Sequence, residues 1–211
     1  MSQVTEQEFF GGAIKGVVPQ GWIDSSTLRE VPDHQELFLS PTTLSTLIIE
    51  INQRVSEEET RSTLSTLTHQ PPIPVSGPDS IDQAAVLYHL HDLCDEGDTV
   101  QMLAPPQRVD IPRISSSAPS GPASVKAYRS AVSFTTPKKE DPTLFATVQC
   151  HSLLVRLEAQ ETDLLVFFNV PREEFEKEGN EEGFNMEVKV AEGIVGALVQ
   201  TLEICDWGLF V

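Results

Sequence analysis

The run Tyr88-His89-Leu90-His91-Asp92-Leu93-Cys94 gathers imidazole, carboxylate and thiol groups within seven positions, the side chains from which metal sites are built. On a helix of about 3.6 residues per turn, His89 and His91 lie about 200° apart and cannot share one ion. His91 and Asp95 stand four residues apart and could, but two ligands of mixed type make a poor site unaided. Metal chemistry is not what this run points to. No G-x-S-x-G or papain-like cysteine context supplies an activated nucleophile. No G-x-x-x-x-G-K-[ST] is present, and Gly11, Gly12 and Gly16 do not form G-x-G-x-x-G ahead of a helix, so no bound nucleotide and no cofactor are expected. Carboxylates are plentiful enough for folding to pair two of them for hydrolysis, but no spacing in the sequence designates such a pair.

A second concentration of charge lies in REVPDHQELF, residues 29–38, and just before it. Asp24, Glu30, Asp33 and Glu36 stand against Arg29, four acids less one base, a net −3 over residues 24–36. Pro32 fixes its own backbone and pushes Val31 towards an extended conformation, and Asp33 suits a turn. A turn explains those two residues and leaves the accumulated charge unexplained. An exposed charged connection on a rigid scaffold reads as a binding surface. The whole chain agrees in sign: 32 acids against 14 bases give −18, which repels nucleic acid and anionic membranes and attracts a basic protein, while also favouring solubility.

These residues need a scaffold, and 211 residues with 39% hydrophobic side chains suffice for one domain with a real core. No run approaches the roughly 18 to 20 apolar residues of a membrane helix, and MSQVTEQEFF lacks the regions of a signal peptide, so an intracellular protein is expected. Cys94, Cys150 and Cys205 are odd in number and widely spaced, which suggests buried reduced thiols. FFGGAIKGVVP reads as a strand that turns at Pro19 and Gly21, and Asp24-Ser25 can cap a short helical turn. ELFLSP and STLIIEIN form a hairpin about Ser40-Pro41-Thr42. Residues 53–68 are partly helical. The proline-rich segments 69–78 and 104–122 read as loops, the second mobile.

Ser80-Ile81-Asp82-Gln83 has the spacing of a capping box, and Val86, Leu87, Leu90, Leu93 and Cys94 continue at helical periodicity until Gly97. Thr99–Leu103, Val125–Phe134, Leu144–Leu157 and Thr162–Val170 read as strands, the last apolar enough to be central. Residues 172–183 are a solvated charge run, and Val188, Ala191, Val195, Leu198 and Leu202 mark an amphipathic C-terminal helix. Strands in hairpin order with few helices predict an antiparallel sheet covered by helices, an α+β fold.

The N-terminal run FFGGAIKGVVPQGWIDSSTLREVPDHQELF resembles the Ran guanine-nucleotide release factors, which show Gly-Gly-Ala, a proline-glycine turn, then I-D-x-S-x-L-R-x-V-P-D-x-Q-E. YHLHDL at 88–93 is similar to that family's Y-H-F-E-D-L, LLVRLEAQETDLLVFFNVP at 153–171 to its L-I-R-L-x-x-x-x-T-D-L-L-L-x-x-N-x-P, and ICDWGLF to its ending. Leu90 and His91 depart from the family's aromatic and acid. The resemblance covers most of the chain outside 69–78 and 104–122. It implies helices on both faces of a largely antiparallel six-stranded sheet, similar to the PsbP proteins. It also implies a protein that acts by binding, not by enzyme chemistry; a monomer is the default expectation, and a chain this small is expected in both nucleus and cytoplasm, entering by diffusion or with a partner. Its acidic N-terminal surface would bind the Ran GTPase and promote nucleotide loss, supporting nucleocytoplasmic protein transport. Carried over by position, the partner-binding residues are Asp24, Arg29, Pro32, Asp33, Gln35 and Glu36, with Asp92 as a further addition. The alternative is an adaptor that holds Ran or another basic protein without releasing nucleotide.

Overall fold

A computed structural model describes residues 3–67, 79–139, 141 and 143–210, so the predicted loop at 69–78 lies outside the described residues. Its centre is β9, Thr162–Pro171, whose near-continuous apolar sequence needs burial on both faces. Around it lie β3 (Ile23–Asp24), β4 (Gln35–Leu39), β5 (Thr46–Gln53), β6 (Thr99–Val109), β7 (Val125–Pro137) and β8 (Phe145–Leu157). They form a sheet of order β3-β4-β5-β9-β8-β7-β6, antiparallel at every pairing. It has seven strands where six were expected, the two-residue β3 being short enough to escape sequence reading.

Successive strand residues point to opposite faces, so β9 divides its side chains between two cores. Leu164, Val166, Phe168 and Val170 enter one core with Ile194, Val195 and Leu198 of helix α5, Glu181–Thr201. Leu165 and Phe167 enter the other with Ala85, Val86 and Leu90 of helix α2, Ser80–Asp92. Helices therefore cover both faces, as expected. Helix α1, Glu57–Leu67, packs beside α2. A second sheet, β1 (Val4–Phe9), β2 (Ile14–Pro19) and β10 (Glu203–Ile204), contributes Phe9, Ile14 and Ile204 to the α5 core. β1 is missing from the sequence reading, because VTEQEF is mostly exposed and carries little apolar pattern.

Two expectations need correction and one needs refinement. Residues 104–122 are largely ordered: β6 runs on to Val109, and helix α3, Pro112–Ser117, follows. Pro105 and Pro106 are tolerated because β6 is an edge strand whose register shifts around them, and buried Ile111 and Ile114 anchor the segment. The charge run after β9 is largely solvated, as expected, and within it Glu173–Glu178 fold as helix α4, with Phe175 buried against Phe184. Of the three free thiols only Cys150 is buried, and burial lifts its pKa to about 12.

The capping box of Ser80 with Gln83 is not what starts α2: Ser80 lies inside the helix, Asp79 takes the N-cap position without a side-chain cap bond, and Asp82 is buried in a charge network beneath the helix. Arg156 of β8, 2% exposed, donates from Nε to Asp163 Oδ1 at 3.0 Å and from one terminal nitrogen to Asp82 Oδ1 at 2.9 Å. Its other terminal nitrogen donates to the Val55 carbonyl at 2.6 Å. Asp163 Oδ2 accepts Val55 N–H at 3.0 Å and lies 2.9 Å from His89 Nε2; an acceptor-only carboxylate there places a proton on that nitrogen. Lys126 Nζ reaches Asp82 Oδ2 at 2.8 Å. Burial raises the Asp82 pKa, but Lys126 and Arg156 outweigh it and hold the carboxyl below the usual aspartate range.

Replacing Arg156 with Ala strands Asp163 in the interior and is expected to cost about 3 to 5 kcal/mol, measured by urea unfolding. Asp82 works in one pH direction. Its folded pKa is lowered, so its stabilisation is complete above the unfolded value of about 3.9 and is lost as pH falls through the folded one. Acid unfolding should therefore steepen below about pH 4, and Asp82→Asn should flatten that dependence.

Candidate functional site

The predicted acidic surface is built on β3 and β4 and the connection between them. Ile23 and Asp24 pair with Leu39 and Phe38, which carries the chain to the sheet edge. A 3-10 turn, Ser25–Thr27, follows. Asp24 has the capping role its position suggested: Oδ1 accepts Ser26 N–H at 2.8 Å. The carbonyl of buried Ser25 accepts the N–H groups of Leu28 and Arg29 at 2.9 and 3.0 Å. Arg29 Nε makes a long 3.4 Å contact with Ser25 Oγ, and the residue remains exposed.

Pro32 opens a turn closed by Gln35 N–H donating to the Pro32 carbonyl at 2.9 Å. The next carbonyl but one, on His34, accepts Ile51 N–H at 2.9 Å and brings the chain into β4. Gln35 spends its amide on Glu50, with Nε2 donating to Oε2 at 3.0 Å. Pro32 and Asp33 are exposed, and among the described residues no hydrogen bond or ion pair engages the carboxylates of Glu30 and Asp33.

Glu36 differs from these. It is half-buried, and its Oε1 accepts Phe10 N–H at 2.5 Å. Burial raises its pKa, the Phe10 N–H opposes that rise, and the Asp24 charge adds to it. Phe10 begins the turn between β1 and β2 and is left-handed, with φ 50°, followed by Gly11 at φ 65° and Gly12 at φ 91°. The two glycines of FFGG are thus required by backbone conformation.

Asp92 does not join this surface. It ends α2, whose buried residues lie in the core with Leu165 and Phe167, whereas Glu36 shares with Phe38 the opposite face of the sheet. The metal-like run is likewise divided: His89 is buried on Asp163 and His91 is exposed. Among the described residues no three His, Cys, Asp or Glu side chains are grouped to hold a metal. None of their helices is long and apolar enough to cross a membrane.

The sequence reading overlooked two apolar residues beside the acids. Leu28 is 66% exposed between Asp24 and Arg29, and Ile23 is 40% exposed. An apolar residue inside an otherwise polar connection was the available signal for Leu28. Partly exposed acids around an exposed leucine can meet a partner that carries basic groups around an apolar pocket.

Residues 7–171 match the family model described as Ran-interacting Mog1 protein. The chain is 31% identical to the Saccharomyces cerevisiae nuclear import protein MOG1 over 84% of its own length and 72% of that protein. It is 29% identical to the Homo sapiens Ran guanine nucleotide release factor, over 81% and 78%. The crystal structure of the S. cerevisiae Ran-binding protein Mog1p superposes with a TM-score of 0.60 at 22% identity, with full coverage of both chains, a likeness of fold. The match spans the whole seven-stranded sheet, the acidic connection and the buried charge network, and the chain belongs to the Ran-interacting Mog1 protein family.

Proposed function

We propose that this protein binds the Ran GTPase through the surface of residues 23–33 and promotes release of its guanine nucleotide, in support of nuclear protein import. The observation that carries this reading is the family match across residues 7–171, which contains the whole surface and includes relatives named as Ran guanine nucleotide release factors. Asp33 and Glu30 supply carboxylates free to meet basic groups, Arg29 meets or orients acids, and Leu28 supplies the apolar centre of the contact. Asp24, Pro32 and Gln35 hold the connection in shape. Asp92 stands outside the surface proposed.

The action is one of binding. A partner that holds the nucleotide-poor GTPase more tightly than the loaded one lowers nucleotide affinity by the same factor. A hundredfold effect needs about 2.7 kcal/mol of differential binding. Charge-assisted hydrogen bonds from one or two carboxylates suffice, since truncating one partner of such a buried interfacial pair costs about 2 to 5 kcal/mol.

The test is the dissociation rate of labelled GTP and GDP from Ran with and without the protein. Acceleration is expected, and Asp33→Ala should reduce it about tenfold or more while changing folding stability by no more than about 0.5 kcal/mol. Leu28→Ser should weaken Ran binding by about 1 to 2 kcal/mol, read by calorimetry. Binding without acceleration would leave the adaptor role, and no binding would overturn the proposal. The association rate should fall as salt is raised, because an acidic surface steers a basic one; a salt-independent rate would point to an apolar contact alone.

A further inference from the structure

The bond from Phe10 N–H to Glu36 Oε1 joins two parts of the chain 26 residues apart. Phe10 cannot satisfy that N–H in the ladder: β1 ends at Phe9, paired with Ile14, and the chain then enters its left-handed turn. A left-handed conformation is costly for a residue with a Cβ and persists where surrounding contacts impose it. The contacts here are the Glu36 carboxylate, the packing of the partly buried Phe10 side chain on the α5 core, and the ring of Phe9, which packs edge-on against Phe38 with centroids 5.8 Å apart. The turn is also tied to the end of the chain, since the Ala13 carbonyl accepts Cys205 N–H at 2.8 Å and Asp206 N–H at 3.1 Å. On its outer side Gly11 has no atom within 4 Å of where a Cβ would stand. At Gly11 the turn thus presents open backbone, tied to β4 through Glu36.

We propose that Glu36 is a positioning residue: its carboxylate holds the Phe10–Gly12 turn against β4, extending the partner surface from residues 23–33 onto that turn, and the partner does not read its charge. This rests on the Ran-binding reading for its effect on the partner, but not for its effect on the turn. One carboxylate oxygen is already committed to Phe10, and Glu36 is less exposed than Glu30 or Asp33. A carbonyl oxygen can accept the same N–H without a charge.

Two variants separate position from charge. Glu36→Gln keeps an acceptor and removes the charge; Glu36→Ala removes both. Ran affinity is measured by calorimetry, and protection of the Phe10 amide by NMR-detected hydrogen exchange. Glu36→Gln should bind within about threefold of the unmodified protein and keep Phe10 protected, while Glu36→Ala should lose about tenfold or more in both readouts. A Gln variant weakened as much as the Ala variant would overturn the proposal, as would an unprotected Phe10 amide in the unmodified protein. Should the Ala variant fail to fold, the Gln variant and the unmodified protein still decide. If the unmodified protein does not bind Ran, the functional reading fails, and Phe10 exchange alone judges whether Glu36 holds the turn.

Discussion

A guanidinium sealed between a helix and a sheet must find partners for its donors, because water cannot reach it. Arg156 meets that constraint with two carboxylates and a carbonyl drawn from three segments distant in sequence: Asp82 on α2, Asp163 on β9 and Val55 after β5. Few arrangements of those segments satisfy all its bonds. The network therefore fixes how α2 lies across the sheet, where apolar contacts alone would tolerate sliding. His89 and Lys126 complete the partners of the two acids, so the cluster balances its charges internally.

The acidic connection depends on the same rigidity at one remove. β4 is held by β5, and β5 by the central β9, which carries both cores. The connection from β3 into β4 is thus mounted on a braced edge, with backbone bonds to Ser25, Pro32 and His34 setting its course. Its exposed side chains can be given to a partner because they are not needed by the fold.

Much of this was legible from residue patterns. The alternating and continuous apolar runs gave β5, β7, β8 and β9, and helical periodicity gave α2 and α5, because burial imposes period on sequence. The net charge of residues 24–36 gave the surface. What escaped depends on contacts between distant residues. Nothing near Asp82 announces Arg156, and the Ser80–Gln83 spacing around it imitated a capping box. Arg156 and Asp163 each flank an apolar run, of β8 and β9 respectively, an anomaly that signals a buried pair but not its partners. Glu36 looked like Asp33 in sequence and separates from it only when folding brings Phe10 alongside. Proline content misread residues 104–122, since composition does not reveal that the segment borders a sheet edge.

That edge has a consequence for life at high concentration. The outermost strands of an open sheet offer unpaired backbone groups on which other chains can nucleate fibrils. At one end β6 carries Pro105 and Pro106 at breaks in its register, and at the other β3 offers only two residues before the chain turns away. Both ends are poor templates for a foreign strand. The irregularities that obscure the fold in the sequence thus serve as its guard against aggregation.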